Sequence, residues 1–145
     1  MPAQPIRTTV TRSYPSSPER LFGAWLDPEQ AGRFLFATPG GEMIRVEIDP
    51  VVGGRFTIVE RRDGKDWEHV GEYVEIDRPR WLVFRFGVPA ISPGMDRVTI
   101  AVDGLAEGGC RLTLTAEMAP EFAEFEERSR AGWTMILESL ARAVP

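Results

Sequence analysis

The stretch MAPEFAEFEERSRAGWTMILESLARAV, residues 118–144, decides the fold. Phe122, Phe125, Trp133, Ile136, Leu137, Leu140 and Val144 recur at helical spacing, with Ser129 filling the gap in the stripe. The spacing predicts one amphipathic helix closing a chain that is otherwise mostly strands. A helix of about 23 residues spans roughly 35 Å. An apolar face that long needs a large partner surface, and only a sheet built by the preceding residues can supply one. A sheet curled around such a helix can enclose a hollow, and the hollow is the candidate site.

Working outward, Cys110 to Met118 and Arg97 to Val102 read as the hairpin that feeds this helix. Val98, Ile100 and Val102 oppose Leu112, Leu114 and Ala116. Trp81 to Val88 sets Leu82, Phe84 and Phe86 on one face, and the loop Pro89 to Gly94 after it is unusually apolar. Trp67 to Ile76 is a long strand, joined to Arg55–Arg61 by the hairpin signal Asp63-Gly64. Met43 to Asp49 alternates, with Ile44, Val46 and Ile48 expected on one face. Near the start, Ile6 to Ser13 reads as a strand. Two short helices follow, one capped by Ser17 with Pro18 at its first position, one opened by Asp27-Pro28 with Gln30 at capping-box spacing. The order is strand, two short helices, six strands, long helix. No helices alternate with the strands, so the layout is α+β with antiparallel pairing. The 145 residues form one domain without an internal repeat or linker.

The totals narrow the function. A net charge of −5 and no basic cluster larger than Arg61-Arg62 argue against nucleic acid. No apolar run approaches a membrane span or a signal peptide, so a cytoplasmic location is the default expectation. The lone cysteine, Cys110, reads as a small buried hydrophobe. One histidine and one cysteine make no metal pair, and no Gly-rich loop precedes a helix; no metal or cofactor is expected. Glu121, Glu124, Glu126 and Glu127 read as a solvated face complementing the dipole of the last helix.

The strand Trp67–Ile76 carries Trp67, His69, Gly71, Tyr73 and Glu75 on one face and Glu68, Val70, Glu72, Val74 and Ile76 on the other. Only one can face the helix unless a bulge switches them. The aromatic face is the choice, because Trp and Tyr join apolar bulk to a polar tip. There His69 and Tyr73 either bind a polar group or transfer a proton, or His69 is simply a surface or satisfied core histidine. Trp133 is either core or a pocket wall, and Gly132 beside it suggests close packing. Arg85 and Arg97 either meet a ligand carboxylate or lie on the surface.

Four landmarks then resemble a known family: Ser17-Pro18-Glu19-Arg20-Leu21-Phe22-Gly23-Ala24-Trp25-Leu26-Asp27-Pro28, Gly53-Gly54-Arg55-Phe56, Gly71-Glu72-Tyr73-Val74-Glu75-Ile76 with Arg78-Pro79-Arg80-Trp81-Leu82-Val83-Phe84, and Gly132-Trp133. The family is that named for the activator of the heat-shock protein 90 ATPase, within the START-like (Bet v 1-like, SRPBCC) superfamily. The resemblance runs from Ile6 to Val144. It implies a helix-grip fold: a curved antiparallel sheet of six to seven strands around the C-terminal helix. It also implies an apolar pocket between them for a small hydrophobic or amphipathic ligand, a lipid or an aromatic metabolite. The expected lining is Phe34, Phe56, Trp67, His69, Tyr73, Phe84, Phe86, Met95, Trp133 and Ile136, with Pro89–Gly94 gating the entrance. Catalytic residues are not assigned. A cyclase or hydrolase in the same pocket, using His69 and Tyr73, is the rival reading. A co-chaperone-like interaction module is another, although no chaperone-contacting residue can be matched. A homodimer is compatible with the chain's size.

Overall fold

The computed structural model describes residues 4–145. The strands are β1 (Ile6–Tyr14), β2 (Glu42–Ile48), β3 (Arg55–Arg62), β4 (Lys65–Asp77), β5 (Trp81–Gly87), β6 (Asp96–Gly104) and β7 (Cys110–Met118). They form one seven-stranded sheet in the order β1-β7-β6-β5-β4-β3-β2, and every neighbouring pair is antiparallel. Helices α1 (Pro18–Ala24) and α2 (Pro28–Ala31) follow β1, and α3 (Glu126–Ala143) closes the chain. The architecture is α+β, as the sequence predicts.

Local chemistry accounts for the elements. Ser17 Oγ accepts from the Arg20 amide at 3.3 Å and caps α1, with Pro18 in its first turn. The box at α2 differs from expectation. The Asp27 side chain makes no bond to the helix backbone; its carboxylate instead accepts from the Gln30 side-chain amide at 2.8 Å. Asp63 and Gly64 both take positive φ, 54° and 75°, the twist a two-residue hairpin needs between β3 and β4.

Two bulges correct the simple alternation. In β2 the register shifts between Met43 and Arg45, so Met43, Val46 and Ile48 pack on the core while Ile44 turns outward. In β4 it shifts between Tyr73 and Glu75. His69, Gly71 and Tyr73 stay with the inner face, Ile76 joins the core, and Glu75 points out to accept from the Trp81 indole N–H at 3.0 Å.

The largest difference lies in the closing helix. Pro120–Phe125 is a separate 3-10 turn, with Phe122 at φ −99° and ψ 18°, and α3 proper has 18 residues. In a 3-10 turn residues three apart eclipse one another. Phe122 and Phe125 therefore lie together, ring centroids 6.2 Å apart, and leave the stripe that continues through Trp133, Ile136, Leu137 and Leu140.

The sheet grips α3 by polar as well as apolar contacts. The Tyr14 hydroxyl on β1 donates to the Leu137 carbonyl at 2.8 Å, and Arg130 donates to the Thr9 carbonyl at 2.9 Å. The inner face of the sheet, α1, α2 and the loop after α2 share one core with α3. The outer face carries a ladder of charge: Arg7 to Glu117 at 3.0 Å, and Arg97 between Glu117 and Glu75 at 3.8 and 4.0 Å. Arg97 is thus committed to the surface, and Arg85 is exposed.

Candidate functional site

Alternation along β6 puts Asp96 on the same side as Val98 and Ile100, and β5 puts Phe86 on the same side as Leu82 and Phe84. Both inner faces run out at one end of the sheet, where the 3-10 turn stands opposite the β5–β6 loop. A cavity of about 430 Å³ opens between them. Phe86 and Met118 line it from the strands, Val88, Ile91, Pro93 and Met95 from the loop, and Phe122 and Phe125 from the turn. The lining residues with polar side chains are Asp96, Glu121 and Ser92. Burial pushes the Asp96 carboxyl above its ordinary value. A sealed apolar void costs about 24 cal/mol per Å³, which would make a hollow of this size hard to hold. This one is open on one side, so water can occupy it.

The ten residues predicted to line the site separate into four groups. Phe86 and Met95 line the cavity. Phe34, Phe56 and Phe84 are buried in the core, as are Trp133 and Ile136 on α3. Trp133, 4 % exposed, is pressed between Phe36 and Phe86, with centroids 5.9 and 5.5 Å away. The middle of the grip is therefore filled with aromatic rings, and the open space lies beyond Phe86. Trp67 sits at the β3–β4 hairpin beneath two cations, Lys65 Nζ at 4.4 Å and the Arg62 guanidinium at 5.5 Å from its ring.

His69 and Tyr73 form the last group. His69 stacks flat on Phe36, 4.2 Å between centroids and 8° between planes, and its Nδ1 lies 3.3 Å from the Ile58 carbonyl. Burial lowers its pKa; the Ile58 carbonyl and the Glu60 carboxylate work in the opposite direction. Tyr73 is buried against Phe56, and burial raises its hydroxyl pKa, with the Asp49 carboxylate adding to the shift. The two do not share a site. Gly71 lies between them on the strand, and the Phe56 ring covers it so closely that a Cβ there would overlap the ring. Neither side chain reaches the cavity.

One buried acid escapes a reading by residue type. Glu60 shares the inner side of β3 with Phe56 and Ile58 and is 1 % exposed. Its Oε2 accepts from the Thr38 amide at 2.5 Å and from the Thr38 hydroxyl at 2.6 Å. A carboxylate in phase with buried Phe56 and Ile58 is the signal that could have found it. Its role is to pin the loop between α2 and β2; a Cβ on Gly41 would collide with it. Cys110 is buried, and burial raises its thiol pKa, consistent with a packing role. Among the described residues, no group of three His, Cys, Asp or Glu side chains is placed to hold a metal ion. No helix there is long and apolar enough to cross a membrane.

A curved antiparallel sheet closed on a C-terminal helix, with two short helices after the first strand, defines a helix-grip domain of the Bet v 1-like class. The chain belongs to the family described as activator of Hsp90 ATPase homolog 1-like protein, whose model matches residues 15–144. Solved structures share the fold. A protein from Chromobacterium violaceum is 24% identical with a TM-score of 0.83, covering 95% of this chain and 96% of that one. A protein of unknown function from Staphylococcus aureus is 15% identical with a TM-score of 0.85, at 97% and 94% coverage. A family member from Aeromonas hydrophila, solved in solution, is 21% identical with a TM-score of 0.81, at 96% and 92% coverage. At these identities the likeness carries the fold. A search of curated proteins finds no match.

Proposed function

We propose that this protein binds a small hydrophobic or amphipathic molecule in the cavity between the β5–β6 loop and the Pro120–Phe125 turn. The observation that carries the reading is the cavity itself: about 430 Å³, walled by aromatic and aliphatic side chains with few polar groups, the usual make-up of a small-molecule site. The apolar loop after β5 is its outer wall, so loop movement admits the ligand. A cytoplasmic location belongs to the same proposal.

The test is a thermal-shift screen over apolar amines, alcohols, acids and aromatic compounds. A ligand at 100 times its dissociation constant adds about 2.7 kcal/mol to stability. Binding should weaken in Met95→Ala and Phe125→Ala. Absence of a shift with every compound class would remove the reading.

A second reading draws on the rim. Ile91, Met95 and Phe125 are 70, 50 and 38 % exposed around the mouth, an apolar patch that suits contact with another protein, a chaperone included. Co-sedimentation with purified host chaperone, abolished by Ile91→Asp, would favour it.

A further inference from the structure

Resting on the cavity reading above, we infer that the bound molecule is a hydrophobic amine, an apolar body with a cationic head, and not a fatty acid or other apolar anion. The lining contains two carboxylates, Asp96 and Glu121, and no lysine, arginine or histidine. Asp96 faces the core side of β6, and among the described residues it has no ion-pair partner. The nearby Arg97 is turned to the outer face, where Glu75 and Glu117 hold it.

Part of the backbone around the cavity is already engaged. In the β5–β6 loop the amides of Ile91 and Ser92 donate to the Val88 carbonyl at 2.8 and 3.1 Å, and that of Gly94 donates to Ser92 Oγ at 3.2 Å. Across the cavity the Phe122 amide donates to the Ala119 carbonyl at 3.0 Å. A carboxylate head would meet two acidic residues and no cationic side chain in the lining. An ammonium head finds two acidic residues and the aromatic residues Phe86 and Phe122 in the lining, the pairing of acid and aromatic rings that stabilises organic cations. Arg128, outside the lining, sets its guanidinium 5.7 Å from the Phe125 centroid.

Octylamine, octanol and octanoate share a chain and differ in head group, so titration calorimetry with the three at neutral pH separates head from body. Octylamine should bind tightest and octanoate at least about tenfold more weakly, the span of a charge-assisted hydrogen bond. Asp96→Asn should weaken octylamine about tenfold while leaving octanol unchanged. Glu138→Gln, an exposed carboxylate on α3 outside the lining, should change none of them. Should Asp96→Asn fail to fold, Glu121→Gln at the cavity's edge should weaken octylamine severalfold and spare octanol. Octanoate binding as well as octylamine, or octylamine indifferent to the substitutions that fold, would overturn the amine and leave the cavity standing. Failure of all three to bind, octanol included, would overturn both.

Discussion

The middle of the helix grip and its end are built from the same kind of residue and reach opposite outcomes. In the middle, Trp133 meets Phe36 and Phe86 edge to face, and Phe36 in turn stacks on His69. At the end, Phe86, Phe122 and Phe125 surround open space. The difference lies in the backbone behind the rings. An α-helix holds Trp133 directly over the sheet, whereas the 3-10 turn carries Phe122 and Phe125 to the side, where they face a loop. Ring-rich sequence alone therefore does not distinguish a filled core from an open cavity; the presenting element does.

Four changes would break or sharpen that contrast. Trp133→Ala removes a ring packed on all sides and should cost about 3–5 kcal/mol, read from urea unfolding. A loss below about 1 kcal/mol would mean that the middle is not packed as described. Glu60→Ala takes the acceptor from the Thr38 amide and hydroxyl and should cost about 2 kcal/mol, with faster hydrogen exchange at Thr38. That places the pinned loop with the rigid middle; unchanged exchange would separate them.

The third change is pH. Burial holds His69 below its ordinary 6.5, so the unfolded chain takes the proton more readily. The stability contributed by the neutral ring is complete above 6.5 and is lost as pH falls from 6.5 toward the lower folded value. The dependence should not exceed about 1.4 kcal/mol per pH unit for this one group. His69→Gln should flatten the melting-temperature profile there. The smallest effect belongs to the open end. Phe125→Ala should cost less than about 1 kcal/mol because the ring keeps much of its exposure when folded, while weakening apolar ligands measurably in calorimetry. A large stability loss would show that the end is core after all.

Most of the fold was legible because buried strands leave a period-two record. Leu82, Phe84 and Phe86 against Val98 and Ile100 fix the inner face without ambiguity. The loop Pro89–Gly94 reads as unusually apolar in the sequence, and Ile91 to Met95 line the cavity. Three things were not legible. The bulges at Ile44 and Val74 depend on how whole strands pair, and no local residue announces them. The break in the last helix was hidden because Phe122 and Phe125 fit helical and 3-10 spacing equally well. Whether Trp133 is core or pocket wall was left open by the sequence, because Phe36, which packs against it and stacks over His69, comes from outside the sheet.

Phe86 lines the cavity and also packs against Trp133. The protein thereby carries its own optical probe. Any occupant that displaces that ring alters the surroundings of the Trp133 indole, so binding should register as a change in intrinsic emission without a label. Three other tryptophans contribute background: Trp25 is sealed in the core, Trp67 lies under Arg62 and Lys65, and Trp81 is on the outer face. None of these touches the cavity lining, and a Trp133→Phe chain that still binds but no longer changes colour would assign the signal.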